Sequence, residues 1–258
     1  MKLISKPQVD IRGVPFDDVT LDLAVSAIID HVKNGGEIAA VYTPNSEIVQ
    51  RCVEDGPGEL YRIINSAELI LPDSVGVIKV AKIFGTPLTG KVPGVEVGEA
   101  VLEKAAKEGL PVFFLGGKPG VAETARDRMT EKYAGLRVVG AADGYFAKSG
   151  AETAAIIDKI AAARPEILYV CLGAPSQERW IYENRSALSV AGVRIALALG
   201  GSLDIYAGTA RRAPRIFIAL GLEWLYRLIR EPSRIGRMMA LPRFYLGCKR
   251  EARKNKKK

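Results

Sequence analysis

Histidine is nearly missing from this sequence: His31 is the only one in 258 residues. That excludes catalytic triads built on an imidazole and metal sites built on several histidines. His31 itself falls in a helical pattern, on or near the solvent face, and reads as a spectator. No Asp-x-Asp occurs, so the carboxylate pair with which many sugar-nucleotide enzymes hold a divalent ion is lacking. The cysteines are Cys52, Cys171 and Cys248, odd in number and far apart, which argues against a disulfide framework or a metal cluster and points to a reducing compartment. No apolar run reaches the roughly 20 residues that a membrane span requires; residues 216–229 come nearest and are broken by Glu223 and Arg227. The opening segment is punctuated by Lys2, Lys6, Asp10 and Arg12, so no cleavable signal sequence is expected. Low-complexity linkers and internal repeats are absent.

What is present is a composition of 48% apolar and 26% charged residues, enough for one sizeable α/β core plus an appendage. The net charge of +8 is unevenly placed: residues 205–258 hold 15 Lys/Arg and 3 Glu, whereas residues 1–204 hold 22 basic and 26 acidic residues. A mildly acidic body therefore carries a strongly basic tail. Such a tail prefers an anionic partner, whether lipid headgroups, nucleic acid or a phosphorylated substrate. The expected division is an α/β core over 1–204 and a basic amphipathic appendage over 205–258.

Within the body, apolar runs of strand length at 38–42, 69–71, 112–115, 137–139, 167–172 and 194–199 alternate with helical patterns. One helix follows Thr20 as its N-cap; others run over 95–108, closed by Gly109, and over 120–132, 152–163 and 176–190. Strands that are apolar throughout, separated by helices, imply a Rossmann-like, doubly wound, mostly parallel sheet covered on both faces. Ligands of such folds bind beyond the carboxyl ends of the strands. The loops there are Thr43-Pro44-Asn45, Pro72-Asp73-Ser74-Val75-Gly76, Gly116-Gly117-Lys118-Pro119-Gly120, Gly173-Ala174-Pro175-Ser176-Gln177-Glu178 and Gly200-Gly201-Ser202-Leu203-Asp204.

Each loop has two readings. Gly116, Gly117 and Gly120 let backbone amides approach a phosphate at a helix N-terminus, or form a tight turn; their spacing is neither G-x-G-x-x-G nor a Walker loop. Asp73, on a turn stiffened by Pro72, suits a general base for an acceptor hydroxyl, though local sequence alone favours the N-cap of a helix starting near Gly76. Thr43, Asn45 and Gln177 match sugar hydroxyls, and each could instead cap its own helix, Asn45 or Ser46 doing so for 47–53.

In the tail, a helix would place Glu223, Arg227 and Arg230 on one face with Leu222, Trp224, Leu225 and Ile229 around the others. Trp and Tyr beside arginines suit a headgroup layer. A C-terminal helix packed on the core with a solvated charged edge explains the same pattern.

The ordered set Thr43-Pro44-Asn45, Pro72-Asp73 with Gly76, Val92-Pro93-Gly94, Leu115-Gly116-Gly117, Gly173-Ala174-Pro175 with Gln177-Glu178, and Gly221-Leu222-Glu223-Trp224-Leu225-Tyr226-Arg227-Leu228 with Glu231-Pro232 resembles the WecG/TagA/CpsF glycosyltransferases, glycosyltransferase family 26, over nearly the whole chain. The resemblance is nearest to the TagA-type N-acetylmannosaminyltransferases. It implies an inverting transfer that needs no metal or other cofactor, from a UDP-sugar to an undecaprenyl-diphosphate-linked sugar. The implied donor is UDP-N-acetylmannosamine, as in teichoic acid synthesis, with UDP-linked hexoses or uronic acids as alternatives. By position, Asp73 would deprotonate the acceptor hydroxyl, and Thr43, Asn45 and Gln177 would line the sugar pocket. Gly116, Gly117, Gly173 and Glu178 would face the nucleotide, while Arg227, Arg230, Arg234 and Arg237 would close over the site and meet the diphosphate. Lys91 stands where family members commonly have arginine; it offers phosphate a point charge without the bidentate contact of a guanidinium.

The resemblance further implies a cytoplasmic protein, peripheral on the inner face of the cell membrane, with an anionic lipid surface as partner. Self-association of the core would follow from apolar surface that the tail leaves uncovered. A nicotinamide-dependent oxidoreductase is disfavoured by the glycine spacing. A nucleic-acid-binding module lacks any recognisable motif. Cutting the chain near Ala207 is expected to leave a folded, more soluble and largely inactive core.

Overall fold

The computed structural model describes residues 2–5, 7–220, 222–230, 232, 235–238 and 240–255, without the side chains of Arg215, Ala219, Arg227, Arg230, Arg237, Met238 and Asn255. Its opening elements are β1 (Gln8–Ile11), β2 (Val14–Asp17), α1 (Leu21–Asn34), β3 (Ala39–Tyr42), α2 (Ser46–Glu54), α3 (Glu59–Asn65), β4 (Leu69–Ile70), α4 (Val75–Phe84) and α5 (Gly94–Glu108). Next come β5 (Pro111–Gly116), α6 (Val121–Lys132), β6 (Arg137–Ala142), α7 (Gly150–Ala163), β7 (Ile167–Cys171), α8 (Ser176–Glu183), α9 (Arg185–Val190), β8 (Ile195–Ala198) and α10 (Ser202–Tyr206). The basic tail forms α11 (Arg215–Ala219), α12 (Glu223–Arg230), α13 (Ile235–Met238) and α14 (Ala240–Asn255).

Six strands make one parallel sheet in the order β4-β3-β8-β7-β5-β6. After β4 the chain passes over β3, β8 and β7 to reach β5, and in sheets of this kind such a reversal of winding sets the ligand site beyond the carboxyl ends of the middle strands. Side chains alternate between two cores, as the pleat requires. Val41, Phe114, Tyr169 and Leu197 pack with α1, α5, α6 and α10; Tyr42, Leu115, Val170 and Ala198 pack with α2, α3, α4 and α8. All six apolar runs are strands. The helix after Thr20 is capped as expected, with the Thr20 hydroxyl accepting from the Leu23 N–H at 3.3 Å. The 176–190 pattern is two helices, divided at Asn184.

The sequence reading missed the antiparallel hairpin β1–β2, whose two-residue turn is Arg12-Gly13 with φ of 55° and 88°. Both turn positions are left-handed, as the twist of a tight hairpin demands. Arginine is an uncommon residue there, and its guanidinium is held by Gln50 Oε1 at 2.9 Å and by Glu251 at 3.3 Å. Asp17, at the end of β2, accepts the Ile70 N–H at 2.7 Å and so steadies the short β4. Burial raises the Asp17 carboxyl above its ordinary range, against the pull of the Ile70 and Gln8 hydrogen bonds.

The tail is divided from the body in charge more than in packing. α14 lies across α2 and α4, with Phe244, Cys248 and Ala252 buried. These three are spaced four apart, one stripe of a helix. Exposed apolar side chains remain on the preceding segment: Ile216, Leu220, Trp224, Ile229 and Ile235. Among the described residues no helix is long and apolar enough to cross a membrane.

Candidate active site

Asp73 follows β4 and is half-buried. The capping reading of this residue does not hold, because Ser74 caps α4 with its hydroxyl accepting the Val77 N–H at 3.2 Å. Asp73 instead reaches across to α5, where Oδ1 accepts the Gly94 N–H at 2.9 Å. The first amide of a 15-residue helix thus faces a carboxylate, a setting that suits negative charge. The neighbouring loop is tied to the same turn, the Val92 N–H donating to the Pro72 carbonyl at 2.9 Å.

Thr43, after β3, lies beside Gly94, and a Cβ at Gly94 would come within 3.2 Å of the Thr43 hydroxyl. That hydroxyl donates to the Ala198 carbonyl at 3.1 Å and keeps its acceptor side. Asn45 does cap α2, its carbonyl oxygen accepting the Ile48 N–H at 3.1 Å, which leaves its amide nitrogen for other use. The starts of α2 and α4 are pressed together: Ser46 and Ser74 hydroxyls lie 3.2 Å apart, and a side chain at Gly76 would collide with Ser46. Thr43, Asn45, Asp73 and Gly94 are therefore brought to one corner of the sheet.

Gln177 is buried, and its carboxamide is already engaged. Its oxygen accepts the Gly200 N–H at 3.0 Å and its nitrogen donates to Glu178 at 2.9 Å. Gln177 thereby fixes the loop after β8. Glu178 sits behind it, fully buried, with Oε2 lacking any hydrogen-bond partner among the described residues. Burial pushes the Glu178 carboxyl up to about 7, against a smaller downward pull from Gln177. Its influence on a ligand would pass through Gln177 and Gly200.

Farther along the same edge of the sheet, after β5, Gly116 is glycine because a side chain there would strike the Cys171 carbonyl, so the tight-turn reading accounts for it. Gly173 has φ of 78° with nothing near the position of a Cβ, leaving that backbone face open to a ligand. The loop after β6 lies over these turns, the Gly144 N–H donating to the Gly117 carbonyl at 2.8 Å. It presents Tyr145 at 69% exposure. The sequence reading passed over Tyr145; an aromatic in a loop after a strand was the available signal.

The tail meets this corner. Lys91 Nζ is 2.6 Å from Glu223 Oε2, and Arg212 pairs with Glu96 in the first turn of α5. Of the tail arginines expected at the diphosphate, Arg234 and the side chains of Arg227, Arg230 and Arg237 lie outside the described residues. The backbones of Arg227 and Arg230 belong to α12, the helix that begins at Glu223. Among the described residues, no three His, Cys, Asp or Glu side chains are grouped as metal ligands.

Residues 9–258 match the sequence model described as the Glycosyl transferase WecG/TagA/CpsF family. A protein of Bacillus spizizenii named N-acetylglucosaminyldiphosphoundecaprenol N-acetyl-beta-D-mannosaminyltransferase is 35% identical over 234 residues, 91% of this chain and 88% of its own. One of the same name from Bacillus subtilis is 30% identical over 247 residues, 96% of this chain and 93% of its own.

Proposed function

The chain belongs to the WecG/TagA/CpsF glycosyltransferase family, and on that premise we propose that it moves N-acetylmannosamine from UDP-N-acetylmannosamine to undecaprenyl-diphosphate-linked N-acetylglucosamine. It is a glycosyltransferase with a Rossmann-like sheet, which leaves the oxidoreductase and nucleic-acid readings without support. The donor and acceptor rest on the names of the two relatives and on the resemblance of the loops.

In the proposed reaction the acceptor hydroxyl gives its proton to Asp73 as its oxygen attacks the anomeric carbon. The bond from that carbon to the UDP oxygen breaks, and UDP leaves from the opposite side, inverting the centre without a metal. Thr43 and Asn45 border the sugar, Gln177 shapes the pocket by holding Gly200, and the nucleotide lies along Gly117 and Gly173 with Tyr145 over the base. Arg227, Arg230, Arg234 and Arg237 neutralise diphosphate charge. The single observation that carries the reading is the meeting of Asp73, the α5 N-terminus and α12 at one corner, linked by Gly94–Asp73 and Lys91–Glu223.

The exposed apolar residues of the tail, set among arginines, support seating on an anionic membrane at its cytoplasmic face. The test is UDP release with UDP-N-acetylmannosamine and a lipid-diphosphate N-acetylglucosamine analogue. Asp73→Asn should lower the rate at least about 100-fold, within the range of a lost general base. An unchanged rate would remove Asp73 from the mechanism, and faster release from another UDP-sugar would reassign the donor.

A further inference from the structure

We propose that Lys91 is a docking residue for the C-terminal segment and not a phosphate ligand, with Glu223 as its dedicated partner. The ammonium and carboxylate are 2.6 Å apart, and their side chains are only 17% and 22% exposed. A pair so far withdrawn from water differs from a surface ion pair, because removing either member strands the other charge in a poorly solvated place.

The positions of the two residues give the pair its meaning. Lys91 directly precedes Val92, whose N–H is bonded to Pro72, and three residues on Gly94 is bonded to Asp73. Glu223 opens α12, where a carboxylate also complements the helix dipole. α12 is joined to α11 by the Phe217–Tyr226 ring contact at 5.6 Å and by the Leu222 N–H to the Phe217 carbonyl at 2.7 Å. The pair therefore fastens the α11–α12 hairpin, with its exposed Ile216, Leu220, Trp224 and Ile229, to the loop that holds the base. A lysine does this work without bidentate geometry, which accounts for Lys91 where a phosphate contact would favour arginine.

The activity arm of the test rests on the proposed transferase reaction; a proteolysis arm does not. Glu223→Gln, Lys91→Glu, Glu223→Lys and the exchanged pair K91E/E223K are compared with the parent for UDP release and for protease cleavage between residues 211 and 222. Each single change should lower UDP release about tenfold or more and speed cleavage, as expected for a half-buried pair deprived of one member. The exchanged pair should recover both to within about threefold of the parent. Restored protection without restored activity would make Lys91 a ligand in its own right and overturn the proposal. Cleavage and activity unchanged in Glu223→Gln would also overturn it. If the parent releases no UDP, the transferase reading fails while cleavage still decides the docking role.

Discussion

Asp73 and Gly94 are 21 residues apart in sequence, yet the Gly94 N–H lies 2.9 Å from Asp73 Oδ1. The bond aligns the carboxylate with α5, while the other end of the Val92-Pro93-Gly94 turn is tied by the Val92 N–H to the Pro72 carbonyl. A methyl group at position 94 would sit 3.2–3.4 Å from Thr43 and Leu199, closer than comfortable packing. Gly94→Ala should therefore cost about 1–3 kcal/mol of stability by overpacking. It should also lower UDP release about tenfold by tilting the Asp73 turn, read from melting curves and steady-state rates.

Glu178 gives the fold a pH dependence of known sign. Its folded value of about 7 lies above the ordinary 4.5, so the unfolded chain ionises first as pH rises. Its contribution is fully present below pH 4.5, is lost as pH rises through about 7, and amounts to at most about 3 kcal/mol. Glu178→Gln should flatten urea-unfolding stability between pH 5 and about 7.5 relative to the parent; an unchanged slope would place the titration elsewhere.

Phe244 is 1% exposed where α14 crosses α2 and α4. Phe244→Ala should destabilise by about 3 kcal/mol, with loss of cooperativity at the α2–α14 contact seen by hydrogen exchange. Deleting residues 208–258 should uncover this apolar strip and yield a core that self-associates, measured by light scattering. That outcome runs against the simpler expectation of a more soluble core.

Tyr145 is exposed, next to the Gly144 that bonds Gly117, and is the residue proposed to stack on the uracil ring. Tyr145→Ala should weaken UDP binding about tenfold, as removal of one stacking partner does, with little change in melting temperature. Calorimetric titration of UDP would detect it.

The sheet was legible because most strands are short runs of aliphatic or aromatic residues between helical patterns, and burial of the middle strands on both faces suits such runs. The hairpin was not, since Arg12-Gly13 lacks the usual Asn-Gly or Asp-Gly turn and Pro15 interrupts the strand pattern. The role of Asp73 as neighbour of a helix N-terminus depends on a contact made across the fold. Local sequence left a general base and a helix cap as alternatives, and Ser74 in fact provides the cap. The docking of α14 left a readable trace, the Phe244, Cys248, Ala252 stripe, hidden among lysines and arginines whose charge drew attention to a membrane.

Arg12 clasps Glu251 across about 240 residues of sequence. During synthesis the hairpin, α2 and α4 emerge long before α14, so their shared apolar strip stays uncovered while the sheet assembles. Folding of this face is thus completed only once α14 has been made, and in that interval the nascent chain is a natural client for chaperones that bind exposed apolar surface.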